Sequence, residues 1–285
     1  MIGSARIRAV TPVTRWIFVL AAGLAAIAGI QLYVLTDRTD HFFAWTIAAP
    51  LSATFLGTGY WTGMTLLLFA AREKWWANIR VALAAVGTFV PLMLLTTLLH
   101  LDKFHLAGSD LNASIAGWAW LIVYAVVPFL LVAIVVSQLR QRGGDPPAGA
   151  PIPRALRTLI LANAAASFVI GLGLFFLPEA MNTVWPWPLT PLTGQAIGSG
   201  FITVTGASLW FTRENSIGRA RGGTVAYLLI GALQLAAIAR YADTVAWTRP
   251  TTWLYVLLMV AILIGGLYSA LSAWRPGLLQ RAHGG

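Results

Sequence analysis

Apolar blocks of about twenty residues alternate with short polar segments along this chain. Since an α-helix rises about 1.5 Å per residue, each block is long enough to cross the roughly 30 Å hydrocarbon core of a bilayer. Lipid offers no hydrogen-bonding partner, so each block has to satisfy its own backbone groups as a helix. The pattern predicts an all-α, polytopic membrane protein with eight transmembrane helices, at about residues 16–36, 48–70, 79–100, 115–138, 157–177, 190–211, 223–241 and 251–273.

Charged residues are few and unevenly placed. They make up 10% of the chain, against 58% hydrophobic residues, whereas a soluble domain has roughly 25% charged residues. The segments on the N-terminal side of the eight predicted helices hold 15 of the 19 Lys and Arg residues. The positive-inside rule therefore predicts a multi-pass protein of the cell membrane with both termini in the cytoplasm. It also accounts for the net charge of +10 without nucleic acid as a partner.

The stretch from residue 50 to residue 80 occurs twice. Shifted by 141 positions, it aligns without a gap on residues 191–221, with 9 of 31 positions identical, among them a proline, a Gly-x-Gly and an Arg-Glu pair. Such a match predicts an internal duplication. Because each copy holds an even number of helices, the two copies are parallel and related by an axis along the membrane normal. The predicted domains are a first four-helix repeat (1–138), a cytoplasmic linker rich in Pro and Gly (139–156) and a second four-helix repeat (157–285).

A run rich in proline and tryptophan precedes the sixth predicted helix. This run, Trp185-Pro-Trp-Pro-Leu-Thr-Pro-Leu-Thr193, resembles a motif of uncharacterised bacterial multi-pass membrane proteins, and the resemblance implies no activity. Its tryptophans, like Phe43 and Trp45 before the second helix, are typical of the aromatic belts at the membrane–water interface. We expect these side chains to lie at the level of the lipid headgroups.

Small and polar residues form matching stripes in the second and sixth predicted helices. Residues spaced by four share one helix face, and the polar members of the two stripes are Thr54, Thr58 and Thr62, and Gln195, Ser199 and Thr203. Glycines lie beside them at matching positions: Gly57 and Gly59, and Gly198 and Gly200. One interpretation is close helix packing, in which the GxxxG pairs Gly59/Gly63 and Gly194/Gly198 also take part. The other is a polar-lined ligand site between the repeats, in the outer half of the membrane, because glycine-interrupted helices at corresponding positions of two repeats are typical of transporter sites.

An Arg-Glu pair ends each of these two helices on the cytoplasmic side. Neighbours in sequence do not face each other on a helix, so the pairs cannot close on themselves. A two-fold arrangement would bring Arg72 to Glu214 and Arg213 to Glu73. We expect at least one of these ion pairs between the repeats, with solvated charges at a helix end as the alternative.

Histidine and carboxylate residues are frequent in the predicted outer loops. The residues that follow the third helix are His100, Asp102 and His105, and a neighbouring outer loop holds Asp37, Asp40 and His41. Nitrogen and carboxylate ligands suit zinc, but this spacing is not a recognised pattern, and ordinary loop polarity is the alternative. Haem held between two histidines would need two facing histidines within helices, and only His100 is near one. We predict no cofactor.

The sequence lacks the residues on which several kinds of chemistry depend. The middles of the predicted helices carry no Asp, Glu, Lys or Arg, which proton-driven pumps and voltage sensors usually need. There is no phosphate-binding glycine loop and no Gly-x-Ser-x-Gly, and the absence of cysteine excludes disulfides and thiolate sites. The isolated polar residues within helices are Gln31, Asn163 and Gln234, and we expect each to make one hydrogen bond.

These features favour a non-enzymatic integral membrane protein that binds or passes an uncharged or lipophilic solute between its two repeats. One alternative is an accessory or scaffold subunit whose Gly-rich helix faces bind a membrane protein partner. Another is a metal-dependent enzyme at the outer membrane face that uses His100, Asp102 and His105. The expected partners are the lipid bilayer, a small lipophilic ligand and another membrane protein.

Overall fold

The computed structural model describes residues 7–274, a chain of helices joined by turns and short loops. Three arginines that the predicted orientation counts as cytoplasmic, Arg6, Arg275 and Arg281, lie outside the described residues. The described range contains eight helices of 18 residues or more: α1 (Pro12–Gly29), which a π-helical turn (Ile30–Val34) prolongs, α2 (Pro50–Arg72), α3 (Arg80–Leu99), α4 (Leu111–Leu139), α5 (Arg154–Phe176), α6 (Pro191–Glu214), α7 (Arg221–Arg240) and α8 (Pro250–Trp274).

Proline and hydroxyl residues fix where the two repeated helices begin. Pro50 and Pro191 occupy the first turn of α2 and α6, where a proline has no helical hydrogen bond to lose. The Thr190 hydroxyl accepts a bond from the N–H of Thr193, and the Thr193 hydroxyl accepts one from the N–H of Thr190. This reciprocal capping satisfies two amides at the start of α6. At its other end, Asn215 adopts a left-handed conformation with φ of 45° and stops the helix.

Six of the eight long helices in the described range are apolar enough to cross a membrane, namely α1 with its π-helical turn, α3, α4, α5, α7 and α8. The prediction of an all-α, multi-pass membrane protein in contact with the lipid bilayer is therefore confirmed. The other two, α2 and α6, are less apolar because of their Gly, Ser and Thr residues. They are also central: 11 of the 23 residues of α2 and 12 of the 24 residues of α6 are buried. That all eight helices span the bilayer stays a prediction.

The central helices are each flanked by helices from both halves of the chain. In the first half α1 packs on α2, and in the second half α5 packs on α6. The third helix of each half crosses over, so that α3 packs on α6 and α7 packs on α2. Gly222 of α7 allows this approach, since a Cβ there would lie 2.8 Å from the Cβ of Phe69 in α2. The two halves therefore interlock through exchanged helices.

The connecting segments gather at two opposite ends of the bundle. At one end the Arg8 N–H donates to the Gly144 carbonyl and the Trp76 N–H donates to the Arg8 carbonyl, both at 3.0 Å. This joins the N-terminal segment, the α4–α5 linker and the α2–α3 loop. At the other end Trp45 of the α1–α2 loop pairs with Phe104 of the α3–α4 loop. Alternate loops thus lie at alternate ends, as expected for successive helices that run up and down the bundle.

The loop aromatic residues are buried in the protein core instead of being exposed to the lipid headgroups. Phe43, Trp45, Trp185 and Trp187 are each at most 4% exposed, so the prediction of interfacial anchoring is wrong for them. The Trp187 indole N–H donates to the hydroxyl of Ser52 in α2 at 3.0 Å. The proline-rich run therefore connects the second half of the chain to the first. These loops fold back over the helix ends and bury the rings, but among the described residues only the Trp187 indole of the three finds a hydrogen-bond partner, since those of Trp45 and Trp185 have none.

The acidic residue at the end of α6 is paired, but not with the expected arginine. Glu214, with a side chain only 6% exposed, accepts bonds from Arg80 at 3.1 Å and from Arg219 at 2.9 Å. Arg80 also binds Asp145 of the linker, at 2.5 Å. A pair between the halves therefore exists, but it uses the first residue of α3 because α3 is the helix that crosses over onto α6.

The three remaining residues of the two Arg-Glu pairs have other surroundings. In the described part of the chain, Arg72 is exposed and forms no ion pair. Arg213 lies 5.6 Å over the ring of Trp210. The carboxylate of Glu73 accepts a bond from the Asn78 amide at 2.7 Å. The predicted pairs Arg72–Glu214 and Arg213–Glu73 are therefore wrong.

We expect Glu214→Ala to lower the free energy of unfolding by about 2–3 kcal/mol, because it leaves two guanidinium groups close together without their shared acceptor. Arg72→Ala, at the position first expected to pair with Glu214, should change it by less than about 0.5 kcal/mol. Thermal unfolding of the purified protein in detergent measures both. Equal stability of the two variants would contradict this assignment of the ion pairs.

Candidate functional site

A cavity of about 620 Å³ lies in the first half of the bundle. It is walled by α1, α2, α3 and α4, and α6 and α7 close its inner end. It runs from Asn112 at the start of α4 to Phe211 near the end of α6, so it follows most of the bundle's length. The α4 residues that line it extend from residue 112 to residue 127. This range covers about 22 Å along the helix axis, at about 1.5 Å per residue.

The cavity exists because the outer helices of the two halves pack differently. In the second half α8 packs on both α7 and α5. In the first half α4 packs on α3, but no extensive contact joins α4 to α1 in the described range. The resulting gap opens at the side of the bundle. Its edges are Leu24 and Ile27 of α1 and Ile115 of α4, which line the cavity and are 50%, 55% and 58% exposed. Such an apolar rim suits contact with lipid hydrocarbon and not with water.

The cavity wall is neutral and mainly apolar. Among the described residues that line it, none carries a charge. One wall is aromatic: the rings of Tyr60, Phe89, Trp120 and Tyr124 are linked by centroid distances of 4.4 to 6.3 Å. The hydroxyls of Tyr60 and Tyr124 lie 2.5 Å apart. A bound ion would have no counter-charge here, and burying an unpaired charge is far more unfavourable than burying a neutral group.

The structure divides the ten candidate ligand residues into two groups. Four of them line the cavity: Gly59, Thr62, Gly200 and Thr203. The other six are absent from its wall: Thr54, Gly57, Thr58, Gln195, Gly198 and Ser199. The cavity therefore does not lie at the centre between the halves, beside Thr58 and Ser199, where the stripes suggested it. It lies to one side, walled mainly by the first half and in part by α6 and α7 of the second half.

Most hydroxyls of the two stripes bond to their own helix. Thr54 donates to the Pro50 carbonyl at 3.1 Å, Ser199 to the Gln195 carbonyl at 2.9 Å and Thr203 to the Ser199 carbonyl at 2.7 Å. Such bonds to the preceding turn satisfy a hydroxyl without any ligand. Gln195 is also occupied, because its side-chain oxygen lies 3.0 Å from the ring of His100 and its amide nitrogen donates to the Phe175 carbonyl at 3.1 Å. Thr58 and Thr62 differ: their buried hydroxyls have no partner in residues 7–274.

Two of the matched glycines serve close helix packing within each half. A Cβ at Gly57 would lie 2.7 Å from the backbone N of Tyr33 in the π-helical turn of α1. A Cβ at Gly198 would lie 2.9 Å from the Gly171 carbonyl of α5. Real Cβ atoms do not approach backbone atoms so closely, and these two positions therefore need glycine.

The other glycines of α2 face empty space. A Cβ at Gly59 or at Gly63 would meet no described atom within 4 Å, and both positions line the cavity. The GxxxG pair Gly59/Gly63 thus keeps the cavity wide instead of packing a helix. Gly200 of α6 is intermediate, because a Cβ there would lie 3.2 Å from the ring of Phe55.

The outer histidines are separated from one another. His105 contacts the Phe43 carbonyl at 2.9 Å and the Thr46 hydroxyl at 3.1 Å, while His100 contacts Gln195. His41 pairs with Asp110, whose pKa is lowered by the backbone N–H of Ala113 and by His41. Asp102 binds its neighbour Lys103 at 2.9 Å. Within the described residues no three His, Asp or Glu side chains are close enough to hold a metal ion, so the proposed enzyme lacks its zinc site.

Sequence reasoning missed three residues of the cavity. Tyr60 and Tyr124 looked like ordinary apolar positions, since nothing in the sequence places α4 beside α2. Gln31 was expected to make one hydrogen bond, as Gln234 does with Tyr255 at 2.8 Å. Instead Gln31 lines the cavity and makes no hydrogen bond within the described part of the chain. Its signal was present in the sequence: it is an amide in an otherwise apolar helix.

Alanine at Gly57 or at Gly198 should lower the free energy of unfolding by about 1–3 kcal/mol, because the added methyl group overlaps backbone atoms of the neighbouring helix. Gly59→Ala is the matched control, and it should be neutral or slightly stabilising because alanine favours helix. Apparent melting temperatures in detergent compare the three variants. Equal melting temperatures would show that the close contacts of Gly57 and Gly198 with neighbouring helices are not needed for packing.

Comparisons with known proteins do not supply a function for this geometry. The chain matches no family model, no curated protein and no solved structure.

Proposed function

We propose that this protein is a non-enzymatic membrane protein that binds a neutral, lipophilic molecule in the cavity between α1 and α4. The ligand enters sideways from the bilayer, through the opening edged by Leu24, Ile27 and Ile115. The protein could extend this function to transport of the ligand across the membrane, because the cavity follows most of the bundle's length and provides a route.

The cavity is the single observation that carries this proposal. A volume of about 620 Å³ falls within the roughly 300–1,000 Å³ of typical small-molecule sites. An apolar space of this size would forfeit a large packing energy if nothing filled it, since voids of even a few tens of Å³ are unfavourable in a protein interior. A lipophilic ligand or a lipid chain would restore those contacts. The neutral wall selects against ionic ligands.

We further propose that all eight long helices span the cell membrane, as two parallel four-helix repeats with both termini in the cytoplasm. The exchange of α3 and α7 between the halves supports a two-fold axis along the bundle. The low apolarity of α2 and α6 agrees with their central position, where they contact other helices and not lipid. The excess of Lys and Arg in the loops at the N-terminal end supports the orientation.

Filling the cavity tests the proposed function. The double variant Gly59→Phe/Gly63→Phe places two rings into the cavity, where a Cβ meets no described atom within 4 Å. The matched control is Gly23→Phe/Gly87→Phe, since these glycines also have open space around them but do not line the cavity. Mass spectrometry of the purified proteins, native and after solvent extraction, measures the co-purified lipophilic molecules.

We expect the cavity-filling variant to carry about tenfold less bound lipophilic molecule than the wild-type protein, because the two added rings oppose binding by at least about 1–3 kcal/mol. The control variant should keep it, and both should melt at similar temperatures. Equal amounts of bound molecule in both variants would contradict the proposal. A bound protein subunit that the cavity-filling variant loses would instead support the accessory-subunit alternative.

A further inference from the structure

Two side-chain amides line the cavity, and neither has a hydrogen-bond partner in the described residues: Asn112 is exposed at the start of α4, whereas Gln31 is partly buried within the bundle. Gln31 continues the α1 face formed by Ala21, Ala25 and Ala28, and all four residues line the cavity. Two other glutamines inside the bundle, Gln234 and Gln195, are hydrogen-bonded. An amide in hydrocarbon without a partner costs several kcal/mol. A partner supplied by a ligand would remove this penalty.

The backbone around Gln31 is held in a defined and unusual conformation. Gln31 lies in the π-helical turn Ile30–Val34, and such turns are frequent at functional sites. Gly57 packs against the backbone N of Tyr33, and the Tyr33 hydroxyl donates to the Leu233 carbonyl of α7 at 2.9 Å. Gly29 lies against the ring of Trp61. The turn is therefore fixed on both sides of Gln31, and the amide is held at one level of the cavity.

A second polar side chain, that of Tyr60, starts from the same level of the bundle. The contacts of Gly29 with Trp61 and of Tyr33 with Gly57 place Gln31 opposite residue 59 of α2, next to Tyr60. The hydroxyls of Tyr60 and Tyr124 are 2.5 Å apart, so one donates to the other and the accepting hydroxyl keeps its own proton to donate. The amide N–H groups of Gln31 and this spare O–H are hydrogen-bond donors in a mainly apolar wall.

We propose that Gln31, with the Tyr60–Tyr124 pair, recognises a carbonyl oxygen on the lipophilic ligand. A carbonyl oxygen has two lone pairs and can accept from both donors, while the hydrocarbon part of the ligand fills the apolar remainder of the cavity. The ligand class is thus a neutral, hydrocarbon-rich ketone, quinone or ester, not a plain hydrocarbon. This assignment rests on the proposed binding function and specifies what that site selects.

The test compares two probes that differ only in the oxygen. The full-length protein is purified in detergent, stripped of bound lipid, and incubated with equal concentrations of a long-chain methyl ketone and the alkane of equal carbon number. Protein is separated from empty micelles, and gas chromatography with mass spectrometry measures the two bound amounts. The wild-type protein should bind the ketone about tenfold more than the alkane. Gln31→Leu should lower this ratio to about one, because it removes the hydrogen-bond donor that favours the ketone.

Controls separate this inference from the proposed function. Gln141→Leu removes an amide outside the cavity and should keep the wild-type ratio, and Gln31→Met provides a second substitution if Gln31→Leu folds poorly. Equal binding of both probes by the wild-type protein, or an unchanged ratio in the Gln31 variants, overturns the recognition of a carbonyl while the binding function stands. Binding of neither probe by the wild-type protein overturns both.

Discussion

The lack of hydrogen-bonding partners in the bilayer is the constraint on which this structure depends. Every polar group inside the bundle has to find its partner within the protein, and most do. Ser199 and Thr203 bond to their own helix, and Trp187 reaches Ser52 across the two halves. The amide of Gln31 and the buried hydroxyls of Thr58 and Thr62 are among the groups that have no partner within the described residues. Gln31 and Thr62 line the cavity, where a bound molecule could supply the missing bond.

The helices could be predicted from the sequence because their signals are local. Apolar length gives the helices, and Pro50 and Pro191 mark two of their starts to the residue. The matched glycines Gly57 and Gly198 correctly indicated a close approach. The partners could not be predicted, because they depend on how the helices cross. Glu214 binds Arg80 because α3 exchanges between the halves, a feature that no local pattern carries.

The cavity was the least predictable feature, because it arises from a difference between the two halves. Both halves place their first helix on their second and exchange their third. Only the fourth helices differ: α8 closes onto α5, whereas α4 leaves α1. Sequence similarity between the halves is strongest in α2 and α6, so it favours a predicted site at the centre of the bundle, where these two helices lie. The cavity instead lies where the two halves pack differently, so an interpretation of the stripes that assumes symmetry could not locate it.

The lateral opening has a consequence for how occupancy of the site is set. A molecule that enters from the hydrocarbon region is already concentrated there by partitioning, so its relevant abundance is its mole fraction among the lipids and not its solubility in water. The rim side chains Leu24, Ile27 and Ile115 contact lipid tails, and these tails compete with the ligand for entry. Changes in acyl-chain order or bilayer thickness would then alter loading without any change in the protein's own contacts.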